Sequence, residues 1–82
     1  MEVLHRVCCG LDVHKRTVVA CLLLEAQGKL HKELRTFGTT TPQLRELAVW
    51  LESHHCQQVA IESTGVYWKP VFNMLERQGI EV

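Results

Sequence analysis

Residues 59–70, VAIESTGVYWKP, decide how the rest of the chain is read. Val59, Ala60 and Ile61 are apolar and partly β-branched, the composition of a strand inside a sheet. A carboxylate, Glu62, closes that run, and the polar turn Ser63, Thr64, Gly65 and two aromatics, Tyr67 and Trp68, follow it. A carboxylate on a buried strand is costly unless it is paired or holds a metal. The stretch therefore predicts an acid at the mouth of a sheet, with a helix starting just beyond. That helix spans about residues 67–78, with Val71, Met74 and Leu75 inward and Pro70 in its first turn, where the missing N–H costs nothing.

Working outward, QQVAI (57–61) is the strand that the acid ends. Upstream of it the apolar spacing is helical. Leu44, Leu47, Ala48 and Leu51 recur at i, i+3, i+4 and i+7, with Thr41 as N-cap and Pro42 at the first helical position, giving a helix over about 42–54. Before the helix, VCCGLDV (7–13) and TVVACLLLE (17–25) are strand-like, joined by His14, Lys15 and Arg16 in a link short enough for a hairpin. The second of these is apolar throughout and is expected to be buried on both faces. A turn at AQGK, with Gly28 supplying the freedom in φ, leads to an edge strand over 30–37.

The expected order is β-β-β-α-β-α, with QGIEV (78–82) opening a fifth strand, so that the chain reads as truncated there. Two hairpins and a helical crossover make a mixed sheet in which the fourth strand runs parallel to the first. Asp12 and Glu62 then fall at corresponding ends of neighbouring strands. Asp12 shares its face with Gly10 and Cys8, and Glu62 shares its face with Ala60. Two carboxylates so placed, with small residues beside them, suit Mg2+ or Mn2+, hard cations that prefer oxygen ligands.

Composition sets the outer limits. Eighty-two residues make one small domain, and 46% apolar residues are enough for a core. Nine basic and nine acidic residues cancel, so bulk charge offers no case for nucleic acid. Cys8, Cys9, Cys21 and Cys56 lie in apolar segments, as core residues of a protein kept reduced, and HHC (54–56) lacks the spacing of a zinc site. No apolar run approaches the length of a membrane span, and a soluble, cytoplasmic protein is expected.

With these residues in place, GLDVHKRTVVACLL, FGTT…LRELAVWL and above all VAIESTGVYWKPVFNMLE closely resemble the amino-terminal domain of the DEDD transposases of the insertion sequence 110 type. The resemblance covers nearly the whole chain and implies an α/β, RNase H-like (RuvC-like) fold in a bacterial DNA transposase, a bridge-RNA-guided recombinase. It implies that Asp12 and Glu62 match the first two acids of the DEDD set and are catalytic and metal-binding, with Mg2+ or Mn2+ as cofactor. The last two aspartates and the catalytic serine of such proteins have no counterpart in these 82 residues. The implied partners are DNA, a guide RNA and further copies of the protein, with no membrane.

Around the two acids, His14, Lys15, Arg16, Ser63, Thr64, Tyr67, Trp68 and Lys69 are candidates for nucleic-acid contact. Basic side chains there would meet phosphates, and aromatics would stack on bases. Each also has an ordinary reading: solvated cations, a helix cap at Ser63 or Thr64, and core packing for most of Tyr67 and Trp68.

Two alternatives remain at this stage. The first hairpin also fits the sugar kinase, actin and Hsp70 fold, although Val13, His14 and Lys15 occupy the turn where a phosphate loop needs Gly and Thr. A non-catalytic oligomerisation or RNA-docking domain is the other. The 82-residue chain is expected to lack nuclease activity on its own, and to self-associate, by strand exchange at its carboxy end, through an uncovered sheet edge.

Overall fold

The computed structural model describes residues 6–63 and 65–81. Strands β1 (Arg6–Val13), β2 (Thr17–Ala26) and β3 (Lys29–Gly38) are followed by helix α1 (Thr41–Ser53), strand β4 (Gln58–Ser63) and helix α2 (Trp68–Arg77). The sheet order is β3-β2-β1-β4. The β1–β2 and β2–β3 pairs are antiparallel, and β4 runs parallel to β1. This is a mixed α/β architecture of a four-stranded mixed sheet and two helices, compatible with an RNase H-like fold.

Local chemistry explains the joints. The β2–β3 hairpin turns at Gln27 (φ 54°) and Gly28 (φ 75°), the paired positive φ values of a turn whose twist matches that of its strands. Between β1 and β2, the His14 N–H donates to the Thr17 carbonyl at 2.8 Å and closes the short link. Helix α1 starts one residue earlier than the sequence suggests. Thr40, not Thr41, is its N-cap, and its side chain makes no capping hydrogen bond; Pro42 still lies within the first turn. The Gly38 N–H donates instead to the Gln43 side-chain oxygen, which ties the end of β3 to the helix start.

Helix α1 packs on β3 and α2, and α2 packs on β4, so the core lies on one face of the sheet. That core joins Leu11, Val13, Val18 and Leu22 of the sheet to Leu47 and Leu51 of α1 and Leu75 of α2, all at most 2% exposed. The predicted inner faces of both helices are confirmed, with Met74 partly buried at the margin and Trp50 as an additional buried residue. The expectation that β2 is buried on both faces is corrected. Val18, Ala20 and Leu22 are covered, but Val19, Cys21 and Leu23 are only half-buried, because no described helix lies on their side. An apolar run records what a strand can tolerate, not how many layers cover it.

Beyond α2, Gly79 takes φ 76° and Ile80 packs into the core at 5% exposure. Glu81 then forms a parallel bridge with Gln58: its N–H donates to the Gln57 carbonyl and its own carbonyl accepts from Val59, both at 3.0 Å. Glu81 thus bridges to the outer edge of β4, at the place in the chain where the sequence predicts a further strand to open. Among the described residues, no helix is long and apolar enough to cross a membrane.

Candidate metal centre

The parallel register of β1 and β4 pairs Cys8 with Gln58, Gly10 with Ala60 and Asp12 with Glu62. Neighbouring strands lie about 4.8 Å apart and paired residues share a face, so the two carboxylates leave the sheet side by side. They do so on the face that carries neither α1 nor α2. Behind them, Gly10 and Ala60 leave room, and an added Cβ at Gly10 would meet no atom within 4 Å. A cavity of about 290 Å3 opens there, lined by Gly10, Asp12, Val19, Cys21, Ala60 and Glu62 among others.

One argument made from the sequence does not hold. Glu62 is exposed and the Asp12 side chain is 60% exposed, so neither acid is forced to find a partner by burial. The case for a site rests on register instead. Two like charges directly opposite each other destabilise a sheet, and a cation between them removes that cost. His14 extends the cluster: its Nε2 lies 3.1 Å from Asp12 Oδ2, and it is half-exposed. The sequence marks His14 as a nucleic-acid contact, whereas its contact in the structure is with the acid two residues before it.

Among the described residues, no group of three or more His, Cys, Asp or Glu side chains is placed to hold a metal ion. The candidate ligands at this place are the two carboxylates alone. That fits Mg2+, which keeps several waters and takes only one or two carboxylates from a protein.

The remaining candidates are spread around this centre. Lys15 and Arg16 are exposed on the β1–β2 link, where the Lys15 carbonyl accepts from Thr39 Oγ1 at 3.1 Å. Ser63 is half-buried at the end of β4, as the register partner of Val13. Thr64 lies outside the described residues. The cap reading of Ser63 is corrected, because α2 is capped by Tyr67, four positions later. Tyr67 is 39% and Trp68 38% exposed, so most of each residue is covered, as the sequence suggests, but neither belongs to the core cluster. The Trp68 ring meets Phe72 edge to face at 5.8 Å, and both, with Ser63 and Gly65, line a second cavity of about 460 Å3 along β4. Sequence reasoning passed over Phe72, whose signal was its place one helical turn after Trp68. Lys15, Arg16 and Lys69 line neither cavity.

The cysteines divide by face. Cys9 and Cys56 are buried, and burial pushes both thiols up, Cys9 to about 12 with the neighbouring Cys56, Cys21 and Cys8 adding to it. Cys8 is exposed and Cys21 half-buried on the carboxylate face, so these two are not the core residues expected from their setting.

A transposase family profile, that of the DEDD transposases of the insertion sequence 110 type, matches residues 9–82, a span that contains both Asp12 and Glu62. The chain belongs to this family. No curated protein matches it. Membership decides for the DNA transposase over the sugar kinase alternative. Within the transposase, the paired acids at the ends of β1 and β4 are the feature with most to offer phosphoryl chemistry.

Proposed function

We propose that this transposase uses Asp12 and Glu62 to hold Mg2+ or Mn2+ where DNA is cut and rejoined. The observation that carries the reading is their direct pairing in the β1–β4 register, on the open face of the sheet. Bound there, a divalent cation supplies charge stabilisation to the attacking and leaving oxygens of a phosphoryl transfer. The chain's own contribution is geometric. The ladder fixes the separation of the two acids, and Gly10 and Ala60 keep space for a phosphate and its waters. His14 orients the Asp12 carboxylate through the 3.1 Å contact of its Nε2 with Oδ2.

The exposed cations Lys15, Arg16 and Lys69 and the partly exposed rings of Tyr67 and Trp68 suit contact with a nucleic-acid backbone and bases, and Ser63, at the end of β4, and its sequence neighbour Thr64 are candidates with them. Guidance by a structured RNA, action in the bacterial cytoplasm and assembly with further copies of the chain complete the reading, supported by family membership. Two carboxylates bind Mg2+ weakly, so the 82 residues alone neither cut nor join DNA; metal-dependent cleavage by the purified chain would refute this.

Calorimetric titration with Mn2+ tests the centre. The wild-type chain should take up the ion, and Asp12→Asn and Glu62→Gln should each weaken uptake at least tenfold while circular dichroism stays unchanged. Equal uptake by all three proteins would remove Asp12 and Glu62 from the site.

A further inference from the structure

Strand β3 is ten residues long and forms one edge of the sheet. Among the described residues no strand pairs with its outer side, so it presents a row of unpaired N–H and C=O groups, a template for another strand. Apolar side chains flank that edge on both faces. Leu30 and Leu34 are 67% and 62% exposed on the carboxylate face. On the helix face, Val49 is 63% exposed and borders, with Pro42, Trp50 and Arg35, a groove of about 500 Å3 between α1 and the strand.

We propose that β3 pairs antiparallel with β3 of a second copy of this chain, about a two-fold axis at Leu34, joining two four-stranded sheets into one. The charge pattern selects the occupant and the register. A two-fold axis perpendicular to the sheet opposes residues of the same face, so the axis must pass through a residue. Centred on Leu34, the pairing sets Glu33 against the partner's Arg35 and repeats that contact by symmetry. It also sets Lys32 against the partner's Thr36, and Leu34 against the partner's Leu34. A shift of the axis by one residue either way opposes Glu33 or Arg35 to its own copy, and a shift to Lys32 does the same with a cation. Charged residues on an edge commonly prevent pairing. Here they permit it in one long register and penalise its neighbours.

The monomer leaves these groups available. Glu33 lies 3.7 Å from His54, and the Arg35 guanidinium lies 4.8 Å over the Phe37 ring, on the helix face that it shares with Glu33. A strand pair alone is marginal in water. The same axis brings the two α1 helices side by side over the apolar groove, where Arg45 and Glu46 offer opposite charges to a symmetric neighbour. The interface goes beyond the self-association proposed above by placing the second copy at β3, and it is independent of the metal centre.

Sedimentation equilibrium on the 82-residue chain reads the result. The wild-type protein should form dimers. Glu33→Arg and Arg35→Glu, both at exposed positions, should each weaken dimerisation at least tenfold by setting like charges opposite each other twice. The double variant should recover most of the wild-type affinity. A monomeric wild type, a dimer indifferent to both single changes, or a double variant as weak as the singles would overturn the proposal. Asp12→Asn, which leaves β3 untouched, should dimerise like the wild type whether or not the metal reading survives; a change there would place the interface elsewhere.

Discussion

Asp12 and Glu62 form the one step of the β1–β4 ladder at which both partners are acidic. Without a cation that step is repulsive, by about 0.2–1 kcal/mol for like charges directly opposite each other. Glu62→Gln should therefore leave the metal-free protein as stable as the wild type or slightly more so, while abolishing the rise in melting temperature on adding Mn2+. The substitution also preserves the contact between Asp12 and His14. Thermal unfolding with and without Mn2+ reads both effects, and a variant that still gains stability from the ion would exclude Glu62 as a ligand.

Space matters as much as charge at this centre. Ala60 is exposed and lies beside Gly10 at the back of the cavity. Ala60→Leu should change stability by no more than about 0.5 kcal/mol, as surface changes usually do. It should still weaken Mn2+ binding, by filling the room for the ion's waters. Undiminished binding in a folded Ala60→Leu protein would show that the ion sits away from this cavity.

The core has no such tolerance. Leu47 is fully buried between α1 and the sheet, and Leu47→Ala should cost about 2–5 kcal/mol. A domain of this size has only about 5–15 kcal/mol to lose, so the variant should be partly or wholly unfolded at 37 °C. Val49→Ala, two residues away but exposed, should be close to neutral. Denaturant titration of the pair separates the two faces of α1.

The buried thiols give a pH signature. Cys9 is raised from 9.0 to about 12, and Cys56 is raised as well, both chiefly by burial. A folded-state value above the unfolded one contributes stability that is complete below the unfolded value and is lost as pH rises through the folded one. Stability should therefore decline between pH 9 and about 12, and Cys9→Ala should flatten that decline. In the folded protein at pH 8, a thiol reagent should modify Cys8 quickly and Cys9 and Cys56 only on unfolding. Rapid modification of all four would contradict the burial.

Much of this arrangement was legible in the sequence because the signals were periodic. Leu44, Leu47, Ala48 and Leu51 could share a face only on a helix, and a crossover helix between strands favours a parallel return, which brought Glu62 beside Asp12. Properties that depend on what covers a residue were not legible. Nothing in TVVACLLLE distinguishes a strand covered on two sides from one covered on one, and nothing in ESTGVYW shows that Trp68 leans on Phe72 at the surface. The exposure of Glu62 belongs to the same class, since its apolar neighbours suggested burial. The contact between His14 and Asp12 needed the conformation of the β1–β2 link.

Because β1 and β4 are joined by a parallel ladder, the relation between Asp12 and Glu62 is indifferent to the length of chain between them. Residues added at Gln27 and Gly28, or between Ser53 and Gln58, lengthen a connection and leave both acids on the same rung. One residue added inside β1 between Gly10 and Asp12, or inside β4 between Ala60 and Glu62, turns one acid into the helices and leaves the other outside. Natural length variation in chains built on this plan should therefore gather in the β2–β3 turn and around α1, while the few residues before each acid keep a fixed count. That count, more than the identity of the neighbouring side chains, carries the site from one sequence to the next.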